Sequence, residues 1–168
     1  MADDELPDPL YVRIEIPRGS HNKYEWDHEH GALKLDRRLF SSLGYPTDYG
    51  FFPDTIASDG DELDAVVAVS EPTFPGCFIE VKPIALFKMR DEAAVDNKVL
   101  CVPRTDPNWS GMERLDDLPM SLRDELSLFF GVYKTPEWKV VKVDGWFPRE
   151  EAVESILRAR RRYAEQDS

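Results

Sequence analysis

The chain has 168 residues, of which 42% are hydrophobic, a length and composition typical of one globular domain. Its 33 acidic and 21 basic residues give a formal net charge of -12, which disfavours general binding to nucleic acid or to anionic membrane surfaces. We predict a single domain over residues 1–168, with a flexible acidic segment over 1–9 that does not resemble a signal peptide. No apolar run is long enough to span a bilayer, and we expect a cytoplasmic location.

Two kinds of metal-binding side chain do not form a recognisable motif. Cys77 and Cys101 occur in apolar stretches without ligand-pair spacing, which predicts buried, reduced thiols. His21, His28 and His30 cluster near an early turn. A transition-metal site there is the less favoured interpretation, because no cysteine or carboxylate spacing in that stretch completes a tetrahedral set.

The first two-thirds of the chain has the short apolar alternation of β-strands, interrupted by proline and glycine. A buried, β-branched stretch at 65–69 predicts a central strand, and the stretch at 77–85 follows a Pro75-Gly76 turn. The predicted strands are 11–16, 23–26, 32–35, 65–69, 77–85 with a continuation over 86–89, and 99–102. Short strands separated by such turns favour a small barrel or a sandwich.

The last third has helical periodicity. Apolar residues recur from Leu118 to Tyr133, and Pro119 is predicted to occupy the first turn of this helix. A second helix is predicted from about 149 to 165, with glutamates at its start and arginines at its end, an order that suits the helix dipole.

The hexapeptide Asp-Gly-Asp-Glu-Leu-Asp at 59–64 gathers three aspartates where the buried strand begins. Carboxylates this close repel one another unless a cation lies between them, and a set of hard oxygens favours magnesium, manganese or calcium. A solvated acidic turn remains an alternative for the hexapeptide alone. An EF-hand loop does not fit, because Asp64 and Ser70 stand where its glycine and its bidentate glutamate are required.

Further charged residues are informative only in combination with that hexapeptide. Asp91, Glu92 and Asp96 form a second acidic group, and Glu15 interrupts an apolar strand. Cations and hydroxyls are dispersed over other segments, namely Lys23, Arg37, Tyr45, Tyr49, Lys98, Tyr133 and Lys134. Carboxylates that hold cations, together with cations and hydroxyls that hold phosphate oxygens, are what binding of a metal-bridged polyanion requires.

These motifs together resemble the family I soluble inorganic pyrophosphatases of the short bacterial type. The resemblance extends from about 11 to 146, and its pieces occur in the order and near the spacing of that family. They are IEIP at 14–17, NKYE at 22–25, LDR at 35–37, YPTDYG at 45–50, DGDELD at 59–64, DEAAVDNK at 91–98 and FFxxYK at 129–134.

The resemblance implies a mainly β, α+β fold, in which a five-stranded OB-like β-barrel is flanked by two main α-helices, and a homohexamer. It implies hydrolysis of inorganic pyrophosphate to two orthophosphates by a metal-activated water, without a covalent intermediate. Several Mg²⁺ ions per active site are expected, with Mn²⁺ or Zn²⁺ as substitutes and Ca²⁺ as an inhibitor. Pyrophosphate and phosphate would be the small-molecule partners, with no nucleic acid and no membrane among the partners.

The resemblance also assigns roles to residues. Asp61 would be the general base, and Arg37, Tyr49 and Lys98 would act directly on the substrate. The metal ligands would be Glu15, Asp59, Asp61, Asp64, Asp91 and Asp96. The phosphate ligands would be Lys23, Arg37, Tyr49, Lys98, Tyr133 and Lys134. Supporting positions would be Glu15, Glu25, Tyr45, Glu92 and Lys139.

One segment departs from the family pattern. Lys139 aligns with a family lysine, but Val140 replaces the aromatic residue that commonly follows it. Two other functions remain open: a non-catalytic OB-like module that captures phosphorylated ligands or calcium, and a metal-dependent phosphohydrolase acting on nucleotides. The nucleotide alternative is disfavoured, because the sequence has no glycine-rich phosphate loop.

Overall fold

The computed structural model describes residues 5–40, 42–92, 94–134 and 139–166 as eight strands, two α-helices and one 3-10 helix. None of the helices in these ranges is both long and apolar enough to cross a membrane. The elements are β1 (Tyr11–Ile16), β2 (Asn22–Asp27), β3 (Ala32–Arg38), β4 (Asp48–Phe51), β5 (Asp64–Val67), β6 (Phe78–Arg90), β7 (Lys98–Pro103), the 3-10 helix (Leu115–Asp117), α1 (Met120–Val132), β8 (Lys142–Pro148) and α2 (Arg149–Gln166).

Five strands close into a ring. They follow the order β1-β4-β5-β7-β6, and β6 pairs again with β1. Only the β5–β7 pairing in this ring is parallel, while β8 extends the sheet from the far side of β6. Strands β2 and β3 form a separate two-stranded hairpin. The predicted mainly β, α+β class, with a closed five-stranded sheet and two main helices, is confirmed.

Both faces of the ring are buried. On β5, Ala65 and Val67 face a core cluster that includes α2, whereas Val66 faces a second cluster that includes α1. Successive strand residues point to opposite faces, so a strand covered on both sides is apolar throughout. Cys101 lies in the first cluster and Cys77 is only half-buried; both thiols are free, so the prediction of two buried thiols is correct for Cys101 alone.

Several predicted boundaries were wrong. The strand predicted at 77–85 does continue over 86–89, as the single strand β6, which begins one residue later and ends one residue later than predicted and whose pairing with β7 shifts register near Pro83. Strand β5 begins at Asp64 and ends at Val67, two residues before the predicted end. Pro119 caps α1 from outside, with extended rather than helical backbone angles.

Strands β4 and β8 were not predicted. Strand β4 has only four residues, too few to show alternation. Strand β8 lies in the part of the chain expected to be helical, and Gly145, at φ 102, interrupts its pattern. It forms because β1 pairs only with 78–80 of β6, which leaves the rest of the β6 edge opposite β7 open, and β8 pairs with 85–90 there.

The pairing of β4 with β1 requires a glycine at position 50. A β-carbon at Gly50 would lie 1.9 Å from the carbonyl oxygen of Arg13 and 2.9 Å from the α-carbon of Ile14. These are backbone atoms of a buried strand, so they cannot move aside without opening the β1–β4 pairing.

We therefore expect Gly50→Ala to lower the free energy of unfolding by about 3 kcal/mol or more, since forced overpacking typically costs about 1–3 kcal/mol and this contact is with backbone. Urea unfolding measures the change. Gly111→Ala is the control, because nothing lies within 4 Å of a β-carbon at that exposed position. Equal midpoints for the two variants would contradict the close approach.

Candidate active site

A cavity of about 400 Å³ opens beside the ring, between the β2–β3 hairpin, the 59–64 loop and the end of α1. It brings together many of the residues that the sequence predicted, from six separate segments. These lining residues are Glu15, Lys23, Glu25, Tyr49, Asp59, Asp61, Asp64, Asp96, Tyr133 and Lys134.

Lys98 lies beneath this cavity, fully buried. Its Nζ donates hydrogen bonds to Tyr49 Oη at 2.9 Å, to Asp64 Oδ2 at 3.0 Å and to Asp96 Oδ1 at 3.0 Å. The parallel pairing of β5 with β7 sets Asp64 opposite Lys98, so the fold itself puts the two charges together. Burial alone would lower the pKa of Lys98, but the Asp64 and Asp96 carboxylates outweigh it, and the pKa is raised well above its ordinary value. Lys98 is therefore a permanent cation.

The two aspartates on Lys98 differ in acidity. Burial raises the pKa of Asp64, and the nearby Asp96 carboxylate adds to this. Burial also disfavours the charged form of Asp96, but Lys98 and Lys134 outweigh it and lower the pKa of Asp96. Lys134 Nζ lies 3.5 Å from Asp96 Oδ2 and 3.2 Å from Asp91 Oδ2, so the end of α1 links both acidic groups.

The tyrosines at the site keep their protons at neutral pH. Burial raises the pKa of Tyr49 well above its ordinary value, and Asp64 and Asp96 raise it further. Burial likewise raises the pKa of Tyr133. Both hydroxyls can donate hydrogen bonds to an anion. Tyr45 packs behind Tyr49, with ring centres 5.6 Å apart.

The hairpin contributes its own charges. Lys23 Nζ lies 3.1 Å from Asp36 Oδ2, which also accepts a hydrogen bond from Arg37. Sequence reasoning missed Asp36, although it stands inside the LDR motif beside Arg37. The buried Glu15 accepts a hydrogen bond from the Trp26 backbone N–H at 2.7 Å, which fastens the hairpin to β1.

Some predicted residues do not line the cavity. Asp91 forms an ion pair with Lys134, which does line the cavity. Arg37 forms an ion pair with Asp36, which also pairs with the cavity residue Lys23. Glu92 and Lys139 are exposed and do not line it. The altered segment at 137–140 lies partly outside the described residues.

The three histidines do not converge. His21 contacts the Leu43 carbonyl, His30 pairs with Asp27 at 2.7 Å, and His28 contacts Glu62. Sequence reasoning also missed Glu62 as a cavity residue, although it stands in the DGDELD hexapeptide.

The donors of the cavity suit a hard divalent cation. Glu15, Asp59, Asp61, Asp64 and Asp96 all line it, and each supplies carboxylate oxygen, which Mg²⁺, Mn²⁺ and Ca²⁺ prefer. Burial, with help from Asp64 and Glu62, raises the pKa of Glu15 from 4.5 to about 8. Bound positive charge is what such a group of carboxylates requires.

The raised pKa of Glu15 makes stability depend on pH. Between about pH 4.5 and 8 the folded protein retains a proton that the unfolded chain releases, so the free energy of unfolding should fall as pH rises through this window. In chelator, Glu15→Gln should abolish most of this fall, about 3 kcal/mol or more, because one pKa unit corresponds to about 1.4 kcal/mol.

Chemical unfolding across this pH range measures the effect, and Glu150→Gln, at an exposed carboxyl on α2, is the control. A wild-type profile whose pH dependence matches that of Glu15→Gln would contradict the assignment.

Comparison with known proteins identifies the family of this chain. The sequence profile described as inorganic pyrophosphatase matches residues 12–164. The chain is 53% identical, over 156 residues, to an inorganic pyrophosphatase of Methanosarcina acetivorans, covering 93% of each chain. It is 50% identical to an inorganic pyrophosphatase of Streptomyces coelicolor, covering 92% of this chain and 96% of the relative.

Structural similarity leads to the same family. The crystal structure of the inorganic pyrophosphatase of Thermus thermophilus superimposes with a TM-score of 0.89 at 39% identity, covering 96% of this chain and 98% of the other. This chain is a member of the inorganic pyrophosphatase family.

Proposed function

We propose that this protein hydrolyses inorganic pyrophosphate to two orthophosphates with Mg²⁺, using water directly and forming no covalent intermediate. The observation that carries the proposal is the contact of buried Lys98 with Tyr49, Asp64 and Asp96 beneath a cavity walled by further carboxylates and cations. Family membership supplies the substrate, and the cavity supplies groups for both the anion and its counter-ions.

In this proposal the cations of the chain bind and orient the substrate. Lys23 and Lys134 line the cavity from opposite elements, with the protonated Tyr133 beside Lys134, while Lys98, Tyr49 and Arg37 complete the set. Fixed positive charge and hydroxyl donors stabilise the negative charge that moves to the leaving phosphate. Glu25, Tyr45, Glu92 and Lys139 would support these groups.

Asp61 is the proposed proton acceptor. Asp61 is exposed and lines the cavity. Its backbone N–H donates a hydrogen bond to Asp59 Oδ1 at 3.0 Å, and its carbonyl oxygen accepts one from the Ala57 N–H at 2.7 Å. Asp61 would take the proton of the attacking water. Divalent cations held by Asp59, Asp61, Asp64, Asp91, Asp96 and Glu15 would lower the pKa of that water from about 15.7 toward neutrality.

A covalent route has no support among the thiols. Burial raises the pKa of the Cys101 thiol well above its ordinary value, which removes it as a nucleophile at neutral pH, and Cys77 does not line the cavity. The free thiols also support the cytoplasmic location included in this proposal.

The metal requirement gives the first test. Phosphate release should be rapid with pyrophosphate and Mg²⁺, slower with Mn²⁺ or Zn²⁺, and inhibited by Ca²⁺, whose larger and looser coordination misplaces the reacting groups. ATP with Mg²⁺ should be a poor substrate. Undiminished pyrophosphate hydrolysis in excess chelator would contradict the metal dependence. Preference for ATP would favour a nucleotide hydrolase, and binding without turnover would favour a capture module.

The general-base role gives a second test. Asp61→Asn keeps the size of the side chain but cannot accept a proton, so kcat should fall by about 10²–10⁴-fold. Asp116→Asn is the control, at an exposed carboxyl that does not line the cavity, and it should retain wild-type pyrophosphate turnover. Activity of Asp61→Asn within about threefold of wild type would assign the base to another residue.

A homohexamer is also part of the proposal. Several large apolar side chains are exposed on this chain, including Phe40, Phe74, Met120 and Leu128, more than an isolated domain of this size would be expected to leave in water.

Light scattering at micromolar concentration should give a hexamer mass with and without Mg²⁺, because these side chains lie outside the catalytic cavity. A monomer mass in both conditions would contradict the assembly. A hexamer found only with Mg²⁺ would contradict its independence of the active-site cations.

A further inference from the structure

The catalytic cavity adjoins a second cavity of about 410 Å³. Both cavities are lined by Trp26, His28, Phe51, Asp61 and Glu62, so they meet at these five residues. A ligand too long for the first cavity would extend into the second cavity on this side.

Two side chains meet at that boundary. His28, in the turn that follows β2, contacts the Glu62 carboxylate through Nε2, and Glu62 belongs to the loop that carries Asp61. Since both residues line both cavities, their contact joins the hairpin to the carboxylate loop where the cavities meet. Neither belongs to the buried core: 70% of the His28 side chain and 26% of the Glu62 side chain are exposed.

The second cavity contains a cation suited to phosphate. The Arg13 guanidinium carbon lies 3.6 Å from the ring centre of Trp26 and 5.5 Å from that of Phe78. The Nε of Arg13 is buried and has no hydrogen-bond partner among the residues that the structure describes. A guanidinium that lies over an aromatic ring presents planar donors, which match the oxygens of a phosphate group.

We infer that the His28–Glu62 pair limits the length of the phosphate chain that this enzyme accepts, and that Arg13 forms a latent subsite for a third phosphate. The inference deepens the proposed function and rests on it. With the pair in place, a two-phosphate chain fits and a third phosphate meets the side chains of the pair. Without it, the third phosphate of linear tripolyphosphate reaches Arg13.

The reaction on the longer substrate is the same as on pyrophosphate. Water attacks a terminal phosphorus, the bridging P–O bond breaks toward the leaving group, and one water yields pyrophosphate, orthophosphate and one proton. No oxidant or further co-reactant takes part. The pyrophosphate formed is then itself a substrate.

Glu62→Ala is the main test, because it removes both the contact and a carboxylate. The quantity to compare is kcat/KM for tripolyphosphate divided by kcat/KM for pyrophosphate, with Mg²⁺. We expect this ratio to rise about tenfold or more, the equivalent of one good charge-assisted contact. His28→Ala should raise it in the same direction, and adding Arg13→Met to Glu62→Ala should remove the gain.

Two controls separate length selection from other effects. Glu62→Gln removes the charge but keeps the side chain and an acceptor for His28, so it should leave the ratio near that of wild type. His30→Ala removes a similarly exposed histidine of the same hairpin, whose partner is Asp27 and which does not line either cavity. It should leave the ratio unchanged.

The outcomes are distinct. An unchanged ratio in Glu62→Ala and His28→Ala, with wild-type pyrophosphate turnover intact, would overturn the length-selection role alone. If the kcat/KM ratio rises equally in Glu62→Gln and Glu62→Ala, the effect is due to charge, and the length-selection role is again overturned. A wild-type protein that does not hydrolyse pyrophosphate would overturn the proposed function itself. Thermal unfolding of each variant verifies that the fold is retained.

Discussion

A fully buried ammonium group organises this site. Placing the Lys98 charge away from water would cost several kcal/mol if it were unpaired, and three acceptors at 2.9–3.0 Å offset that cost. The arrangement needs Asp64 and Lys98 at matching positions of adjacent parallel strands, with Asp96 two residues before Lys98. The contacts of the Lys98 side chain therefore depend on the strand register of the ring and on the positions of both carboxylates.

The site is formed by two parts of the fold, the closed ring of strands and the separate β2–β3 hairpin. The proposed metal-binding carboxylates of the cavity stand on or beside ring strands, where both faces are packed by core clusters. Lys23 stands on the hairpin, which forms its own sheet and is joined to the ring by Glu15, by the Arg13–Trp26 stack and by the His28–Glu62 pair. Lys23 therefore reaches the cavity from the hairpin, whereas Tyr49, Lys98 and the proposed metal-binding carboxylates stand on or beside the ring, and the side chains between hairpin and ring are where selectivity can be set.

Sequence reasoning was most successful where the functional residues are close together in the sequence. The DGDELD hexapeptide predicted carboxylates at a strand entrance, and the cavity contains all three of its aspartates. Asp36 and Glu62 were missed because their importance comes from partners distant in sequence, Lys23 and His28.

The same limit applied to the fold. Strand β4 was missed because its stability comes from pairing with β1 and β5 and not from its own four residues, and Gly50 within it is required by the backbone of another strand. Burial, which sets the pKa of Glu15, Tyr49 and Asp64, is likewise a property of the assembled structure.

The central claim, that Lys98 and its aspartates form one interdependent unit, is tested most directly by a double-mutant cycle on unfolding in chelator. Lys98→Met should lower the free energy of unfolding by about 3–5 kcal/mol, because it leaves Asp64 without its cation and facing Asp96, which keeps only Lys134. Adding Asp64→Asn should recover part of the loss, so that the two substitutions depart from additivity by about 1 kcal/mol or more. Losses that add to within about 0.5 kcal/mol would show that Lys98 and Asp64 act independently and would contradict the account.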